Sequence, residues 1–170
     1  YNSIKEYREV DMSIITGEIS LPYRPLTPLQ EALKNLKESE EGKDTWGAPM
    51  CKYLHWKSVV EEHHREPLKD KKFLQTITRI GPLVLIPFPG EPFAEIVLRL
   101  RHYSPFPYTL CASTTNGSNG YLVTRESLAR GGYEVWVAQA FGPYILSENI
   151  DDVLVWENLT LMSKYNNKQV

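Results

Sequence analysis

The sequence has few cysteines, no long apolar run and no excess of charge of either sign. Its two cysteines, Cys51 and Cys111, are too few for a disulfide framework, and we expect both to be buried thiols. No apolar run approaches the roughly 20 residues that span a bilayer, so no transmembrane segment is predicted. Nineteen basic and 21 acidic residues give a net charge of -2, which favours neither nucleic acid nor an anionic membrane as a partner.

The chain begins with Tyr1 rather than Met, and its first ten residues lack the apolar core of a signal peptide. We therefore expect a chain that has been trimmed or cut from a longer protein, and its compartment stays open. With 170 residues and 42% hydrophobic content, the chain is long enough to build a sizeable core, and we expect one domain or a large piece of one.

Hydrophobic patterning in the first half predicts alternating extended and helical elements. Met12–Leu26 is rich in β-branched residues and reads as an extended strand region. Thr27 is a candidate N-cap for a helix that runs to about Glu38. The remaining predicted elements are a helix over Ala48–Glu66 and two consecutive strands over Phe73–Phe88, which join near Gly81.

The second half contains two successive strand-loop-helix units. In the first, Glu91 lies between a strand and a helix whose buried stripe is Phe93, Ile96, Val97 and Leu100. In the second, the strand Tyr108–Thr114 leads through the loop TNGSNG to Tyr121 and a short helix near Arg125–Arg130. A last helical or strand-plus-helix segment is predicted over Ile145–Ser163. Together the elements predict an α/β class with a mixed sheet core flanked by helices.

The position of Glu91 has two explanations at this level. A carboxylate beside a helix N-terminus is stabilised by about 0.3 to 1 kcal/mol, which by itself explains a glutamate there. Alternatively, loops that follow neighbouring strands of an α/β sheet collect in one crevice, where a carboxylate can carry out chemistry. The second explanation predicts that the loop before Tyr121 converges on Glu91.

Two motifs in this region resemble the neutral/alkaline, non-lysosomal ceramidase family. They are PGEPF at Pro89–Phe93, followed by a helix, and NGSNGYLVTRESLARGGYE at Asn116–Glu134. The family has a similar PGE-type segment, and an Asn-x-x-x-x-Tyr-x-x-Thr stretch with a Tyr-Glu pair further on. The resemblance extends over about Gly81–Tyr144, is faint before it and is absent from the tail.

The resemblance implies a zinc-dependent amidohydrolase that cleaves the N-acyl amide of ceramide to a fatty acid and a sphingoid base. Residue by residue, it implies that Glu91 and Tyr121 are zinc ligands and that Tyr133 lines the active site. We expect Tyr121 and Tyr133 to be the catalytic residues of this chain, with one or the other stabilising the oxyanion. The remaining ligands in the family are histidines from its N-terminal half. Residues 1–170 would then be the C-terminal portion of one ceramidase-like catalytic domain, and the family allows a secreted or periplasmic location.

The histidines of this chain do not complete such a site. Catalytic zinc usually takes three protein ligands, often with imidazole among them, whereas Glu91 and Tyr121 supply oxygen alone. His63 and His64 are adjacent and point about 100° apart on a helix, and their charged neighbours indicate a solvated face. The other two, His55 and His102, match no family ligand, so no histidine is assigned to the metal.

Several functions remain open. The first is a zinc-dependent hydrolase of an N-acyl lipid or small amide, active only with the histidine-bearing N-terminal half as partner, and oligomerisation is possible. The second is a non-catalytic binding or interaction protein on the same fold. The third is an amidase or esterase with a different substrate. Ser118 stands where the family often has an aromatic residue, and VWVAQ follows Tyr133-Glu134 where the family has small hydroxylated residues, which leaves the substrate open.

Overall fold

A computed structural model describes residues 9–140 and 144–165 and shows a mixed α/β fold. The strands are β1 (Met12–Pro22), β2 (Asp70–Ile80), β3 (Leu83–Pro87), β4 (Glu91–Pro92), β5 (Tyr108–Ala112) and β6 (Tyr121–Leu122). The helices are α1 (Leu29–Ser39), α2 (Ala48–Glu62), α3 (Ala94–Tyr103), α4 (Arg125–Arg130), α5 (Tyr133–Ala140) and α6 (Ile150–Ser163). The predicted fold class, a mixed sheet flanked by helices, is confirmed.

The larger sheet has four strands in the order β1-β2-β3-β5. The pairs β1–β2 and β2–β3 are antiparallel, and β2 turns into β3 at Gly81 as the sequence predicts. The pair β3–β5 is parallel because α3 makes the crossover between these two strands. A parallel pair sends both chains out at the same edge of the sheet, so the segments after β3 and β5 begin side by side.

Helices α3 and α6 cover the inner face of the sheet. Ile96 and Leu100 of α3 are fully buried, at the spacing that the sequence predicts for the core stripe. They belong to one cluster with residues from α6 and from the inward positions of the strands, which include Ile19, Ile77, Val84, Ile86, Phe88, Leu154 and Met162. Arg99 of α3 also forms ion pairs with Asp151 and Asp152 in the first turn of α6.

The outer face of the same sheet is apolar and exposed. One row of residues in register crosses all four strands of this face and consists of Met12, Ile80, Leu83 and Tyr108. The next row runs through Ile14, Thr78, Leu85 and Leu110. Met12 is 68% exposed, Tyr108 62% and Leu110 47%, so no element of the described chain covers them. Sheets made wholly of parallel strands are usually buried on both faces, whereas antiparallel strands can leave one face in contact with solvent.

Several details differ from the sequence prediction. Thr27 does not cap the first helix: Pro28 is the N-cap residue and no side chain makes a capping hydrogen bond, while the Thr27 carbonyl accepts a hydrogen bond from Nε2 of His63. Helix α2 ends at Glu62, four residues earlier than predicted. Helix α5 was not predicted. Both cysteines are free but half-buried rather than buried.

Within the described residues, no helix combines the length and apolarity needed to cross a membrane.

Candidate functional site

Glu91 and Tyr121 lie directly opposite each other on a small parallel sheet. Strands β4 and β6 pair in parallel, with Glu91 in register with Tyr121 and Pro92 in register with Leu122. The Glu91 amide donates to the Gly120 carbonyl at 2.9 Å, and the Phe93 amide donates to the Leu122 carbonyl at 3.1 Å. Residues that are 30 positions apart in the chain are therefore fixed as neighbours by backbone hydrogen bonds.

The loop before Tyr121 is fastened to the segment before Glu91. The amides of Thr114, Thr115 and Asn119 each donate at 2.8 Å to backbone carbonyls of residues 88–90. Thr114 and Asn116 have positive φ angles of 53° and 64°, so the loop takes the left-handed turns that its Asn and Gly content predicts. The two strand-loop-helix units thus converge, as expected for loops that leave one edge of a sheet.

Gly90 makes the close approach of these two segments possible. A Cβ atom on this residue would lie 2.6 Å from the Gly120 carbonyl oxygen, which is shorter than any tolerable contact. Gly120 has a φ of 75°, a conformation that favours glycine. Gly90 and Gly120 therefore allow the two segments to approach each other closely, and this approach brings Glu91 and Tyr121 side by side.

Tyr133 reaches the same place from the start of α5. Its ring makes an edge-to-face contact with the Tyr121 ring, with centroids 6.4 Å apart and planes at 71°. The connection between the two tyrosines is held by helix α4, whose capping box joins Thr124 and Ser127 reciprocally. Tyr133 remains 54% exposed.

All three residues line one cavity of about 560 Å³. This volume is within the range of small-molecule sites. One part of the wall is polar and contains Glu91, Ser118, Asn119, Tyr121 and Tyr133. The other described residues of the wall are mostly apolar or aromatic, and they are Tyr23, Gly120, Val123, Leu128, Val137, Ala138, Tyr144, Ile145 and Leu146, with Lys71 and Gln139.

The surroundings of Tyr121 disfavour the ionised form of its phenol. Burial raises the pKa of the Tyr121 phenol, and the charge of Glu91 and the neighbouring Tyr133 and Glu134 raise it further. The phenol is therefore neutral at physiological pH unless a positive charge favours the phenolate. Glu91 is exposed to the cavity and does not cap α3, since the N-cap residue is Phe93 and no side chain makes a capping bond.

The chain does not hold a complete zinc site among its described residues. No group of three or more His, Cys, Asp or Glu side chains in residues 9–140 and 144–165 is arranged to hold a metal ion. None of the four histidines lines the cavity: His55 is buried in α2, His63 bonds to the Thr27 carbonyl, His64 is exposed and His102 contacts Tyr103. Among the described residues of the cavity wall, Glu91 is thus the one carboxylate, and the phenol in register with it is Tyr121.

Comparison with known proteins gives matches among solved structures. No family model matches the chain, and no curated protein does. The neutral ceramidase from Pseudomonas aeruginosa has a TM-score of 0.55 and 14% sequence identity, over 93% of this chain and 29% of that chain. A second structure, a ceramidase complexed with C2, has a TM-score of 0.46 and 17% identity over 57% of this chain and 15% of that one, a likeness too low to carry an argument.

The chain has a ceramidase-like fold. At 14% identity the likeness shows the fold alone, and the chain spans less than a third of the length of the ceramidase that it matches. Zinc binding by Glu91 and Tyr121, and the active-site role of Tyr133, therefore stay predictions. In the structure Glu91, Tyr121 and Tyr133, which span 42 positions of the chain, line one cavity.

The sequence reasoning missed several other residues of the cavity wall. Tyr23 and Tyr144 stack there with centroids 4.9 Å apart, and Lys71 also lines the wall. The 144–147 segment is tied to the end of β1 by the bridge between Tyr23 and Leu146. A signal for Lys71 was present, because it is in the same alternating series of β2 as the inward-facing Gln75 and Ile77.

Proposed function

We propose that this chain forms part of the active site of a zinc-dependent amide hydrolase of the ceramidase type. The observation that carries the proposal is the register of Glu91 with Tyr121 on β4 and β6 at the cavity wall. A carboxylate and a phenol in that arrangement are two oxygen donors for one cation. The ceramidase-like fold and the resemblance of the two motifs support the same assignment.

The cation requires further ligands. Catalytic zinc usually has three protein ligands and one open position, and the two donors here leave at least one ligand to be supplied. We propose that a histidine-bearing segment outside this chain supplies it, either in the same polypeptide or in a partner. When bound, zinc would supply an activated water and polarise the amide carbonyl.

The described residues account for substrate binding and charge stabilisation. We propose that the hydroxyl of Tyr133, an exposed residue whose ring contacts Tyr121, donates a hydrogen bond to the amide oxygen as negative charge develops there. The apolar part of the wall, formed by residues such as Val123, Leu128 and Val137, suits an acyl chain. Glu91 and Tyr121 would hold the cation beside these groups.

A second function is favoured by the incomplete donor set. If this chain acts without a histidine-bearing partner, the absence of a metal-binding group among its described residues favours a binding protein that holds an acyl ligand in the same cavity. The two functions differ in turnover, because a binding protein would retain the amide intact.

The deciding experiment measures amide hydrolysis by the full-length protein. The substrates are N-octanoyl sphingosine and an N-octanoyl amino acid, each assayed in three states: as purified, after chelation and after zinc is restored. The proposed hydrolase loses activity on chelation and recovers it with zinc. Binding of both amides without cleavage in any state would contradict the hydrolase and support the binding protein.

A further inference from the structure

Lys71 is a charged residue at an inward-facing position of the sheet. In β2 it is directly opposite Leu21 of β1, and Leu21 is 1% exposed. Directly opposite residues of an antiparallel pair point to the same face. Gln75 and Ile77, which continue the same alternating series of β2, are fully buried. Lys71 therefore points to the helix-covered side of the sheet, where it lines the cavity.

Three carboxylates of the surrounding segments have partners other than Lys71. Asp70 accepts a hydrogen bond from Ser20, and Glu18 pairs with the neighbouring Lys72 at 2.9 Å. Glu62 accepts from the Tyr144 hydroxyl at 3.2 Å and pairs with Arg65. Within the described part of the chain, Lys71 itself has neither a hydrogen bond nor an ion pair. Its ammonium is thus available to a ligand of the cavity.

This arrangement is unfavourable for the empty protein. Burial lowers the pKa of the Lys71 ammonium, since no carboxylate compensates for the lost water. An anion bound beside it would restore the missing partner, and charge-assisted hydrogen bonds are the stronger ones. Glu91 does not serve, because it forms no ion pair with Lys71 among the described residues and is a proposed ligand of the cation.

We propose that the cavity takes an N-acyl amide whose amine part carries a carboxylate, as in an N-acyl amino acid, and that Lys71 binds this carboxylate. The inference rests on the proposed amide hydrolysis, which places the scissile amide at Glu91, Tyr121 and Tyr133. The acyl chain then lies along the apolar wall. A neutral amine part, which offers only hydroxyl groups, would leave Lys71 without a counter-ion.

Direct binding tests this preference without relying on turnover. N-dodecanoylglycine and N-dodecanoylethanolamine share the acyl chain and the amide and differ in a carboxylate against a hydroxyl group. Calorimetry with the full-length protein should show the glycine compound binding roughly 10-fold or more tightly, as expected for a hydrogen bond to a charged group. Lys71→Met should remove that preference, and Lys71→Arg should keep it.

Lys72→Met is the matched control, because Lys72 is the next residue, is exposed and faces the other side of β2. It should bind both compounds like the unmodified protein. Equal affinities for the two compounds, no binding of either, or a preference that survives Lys71→Met would each overturn the inference. A circular dichroism spectrum shows whether Lys71→Met is folded, and Lys71→Arg still tests the inference if it is not.

Dodecanoate is the third ligand, since the carboxylate that Lys71 binds could belong to a fatty acid. If Lys71→Met lowers the affinity for dodecanoate as much as the affinity for N-dodecanoylglycine, Lys71 binds the fatty-acid carboxylate and the inference is wrong. Hydrolysis is measured separately on the same compounds. Preferential binding without cleavage would contradict the proposed hydrolase alone, whereas cleavage without a preference for the carboxylate would contradict the inference alone.

Discussion

Glu91 and Tyr121 are paired in register on two parallel strands of two residues each, and their side chains line the same cavity. This short pairing is stabilised by further backbone hydrogen bonds, because the loop at residues 113–120 is bonded to residues 88–91. The geometry is thus set by the backbone. Substitutions of either side chain should change the chemistry of the site while they leave its position intact.

The two tyrosines of the site should differ in what they contribute. Tyr121→Phe removes a proposed metal ligand and should lower both zinc content and turnover. Tyr133→Phe removes a proposed hydrogen-bond donor to the oxyanion and should lower turnover about 100-fold or more with zinc retained. Both changes keep the ring, so packing should suffer little. Zinc analysis and amide hydrolysis on the same samples separate the two roles, and full activity with retained zinc in both variants would refute both assignments.

The exposed outer face of the four-stranded sheet should make the isolated chain self-associate at micromolar concentration. Ile14 and Leu110 are exposed at the two ends of one row that crosses this face, with Thr78 and Leu85 between them, and exposed apolar surface promotes association. Ile14→Thr with Leu110→Thr keeps β propensity and should shift the distribution toward monomer in sedimentation velocity. Leu98→Thr, on exposed surface of α3, is the control and should have no such effect. If the unmodified chain sediments as a monodisperse monomer, the exposed face does not cause self-association and the prediction is wrong.

A buried amide pair should contribute measurably to stability. Gln75 donates from Nε2 to Oδ1 of Asn158 at 2.6 Å, and both residues are at most 1% exposed. Asn158→Leu leaves the Gln75 amide without this partner and should lower the free energy of unfolding by about 1–3 kcal/mol. The double variant with Gln75→Met should recover part of the loss. Urea denaturation measures both, with the exposed Thr160→Ala as control, and an unchanged midpoint for Asn158→Leu would contradict the pairing.

Cys111 should react slowly with alkylating reagents at neutral pH. Burial raises the pKa of its thiol to about 11, although the Arg101 guanidinium opposes the shift. In a Cys51→Ser background, the rate of alkylation by iodoacetamide should rise about tenfold per pH unit to about pH 10, because the thiolate is the reactive form. A rate that levels off near pH 9 would contradict the shift.

The same shift links Cys111 to stability. The folded thiol keeps its proton at pH values where the unfolded thiol, with a pKa of 9.0, has lost it. Its contribution is therefore fully present below about pH 9 and is lost as the pH rises towards 11. The difference in unfolding free energy between the Cys51→Ser protein and its Cys111→Ala derivative should change in that window and stay constant below it.

The sequence predicted the elements whose patterns are local. The stripe of α3 and the break at Gly81 are visible because burial follows the period of the helix or the turn chemistry of glycine. The convergence of the loops at Glu91 and Tyr121 followed from topology, since segments after neighbouring parallel strands leave one edge together. These inferences required no knowledge of contacts between distant residues.

Other features depend on contacts that no local pattern records. Helix α5 contains VWV, which favours a strand by composition, yet packs as a helix against α2. Lys71 looks like one charge in the DKK run at the start of β2, and its inward direction becomes clear only when the alternation with Gln75 and Ile77 is combined with its register with the buried Leu21. The cap at Thr27 failed because Pro28 begins the helix without any side-chain acceptor. For α5 and Lys71, packing between helices or register across the sheet decided the outcome.

Zinc content of the purified full-length protein, before and after Glu91→Gln, tests the central claim most directly. The amide has the shape of the carboxylate but is a much weaker ligand, so the variant should keep its circular dichroism spectrum and lose most of its zinc. Glu95→Gln is the matched control, because Glu95 is an exposed carboxylate in the first turn of α3, and it should retain zinc. A Glu91→Gln protein with the same zinc content as the unmodified protein would contradict the account and leave Glu91 as a charge near a helix N-terminus.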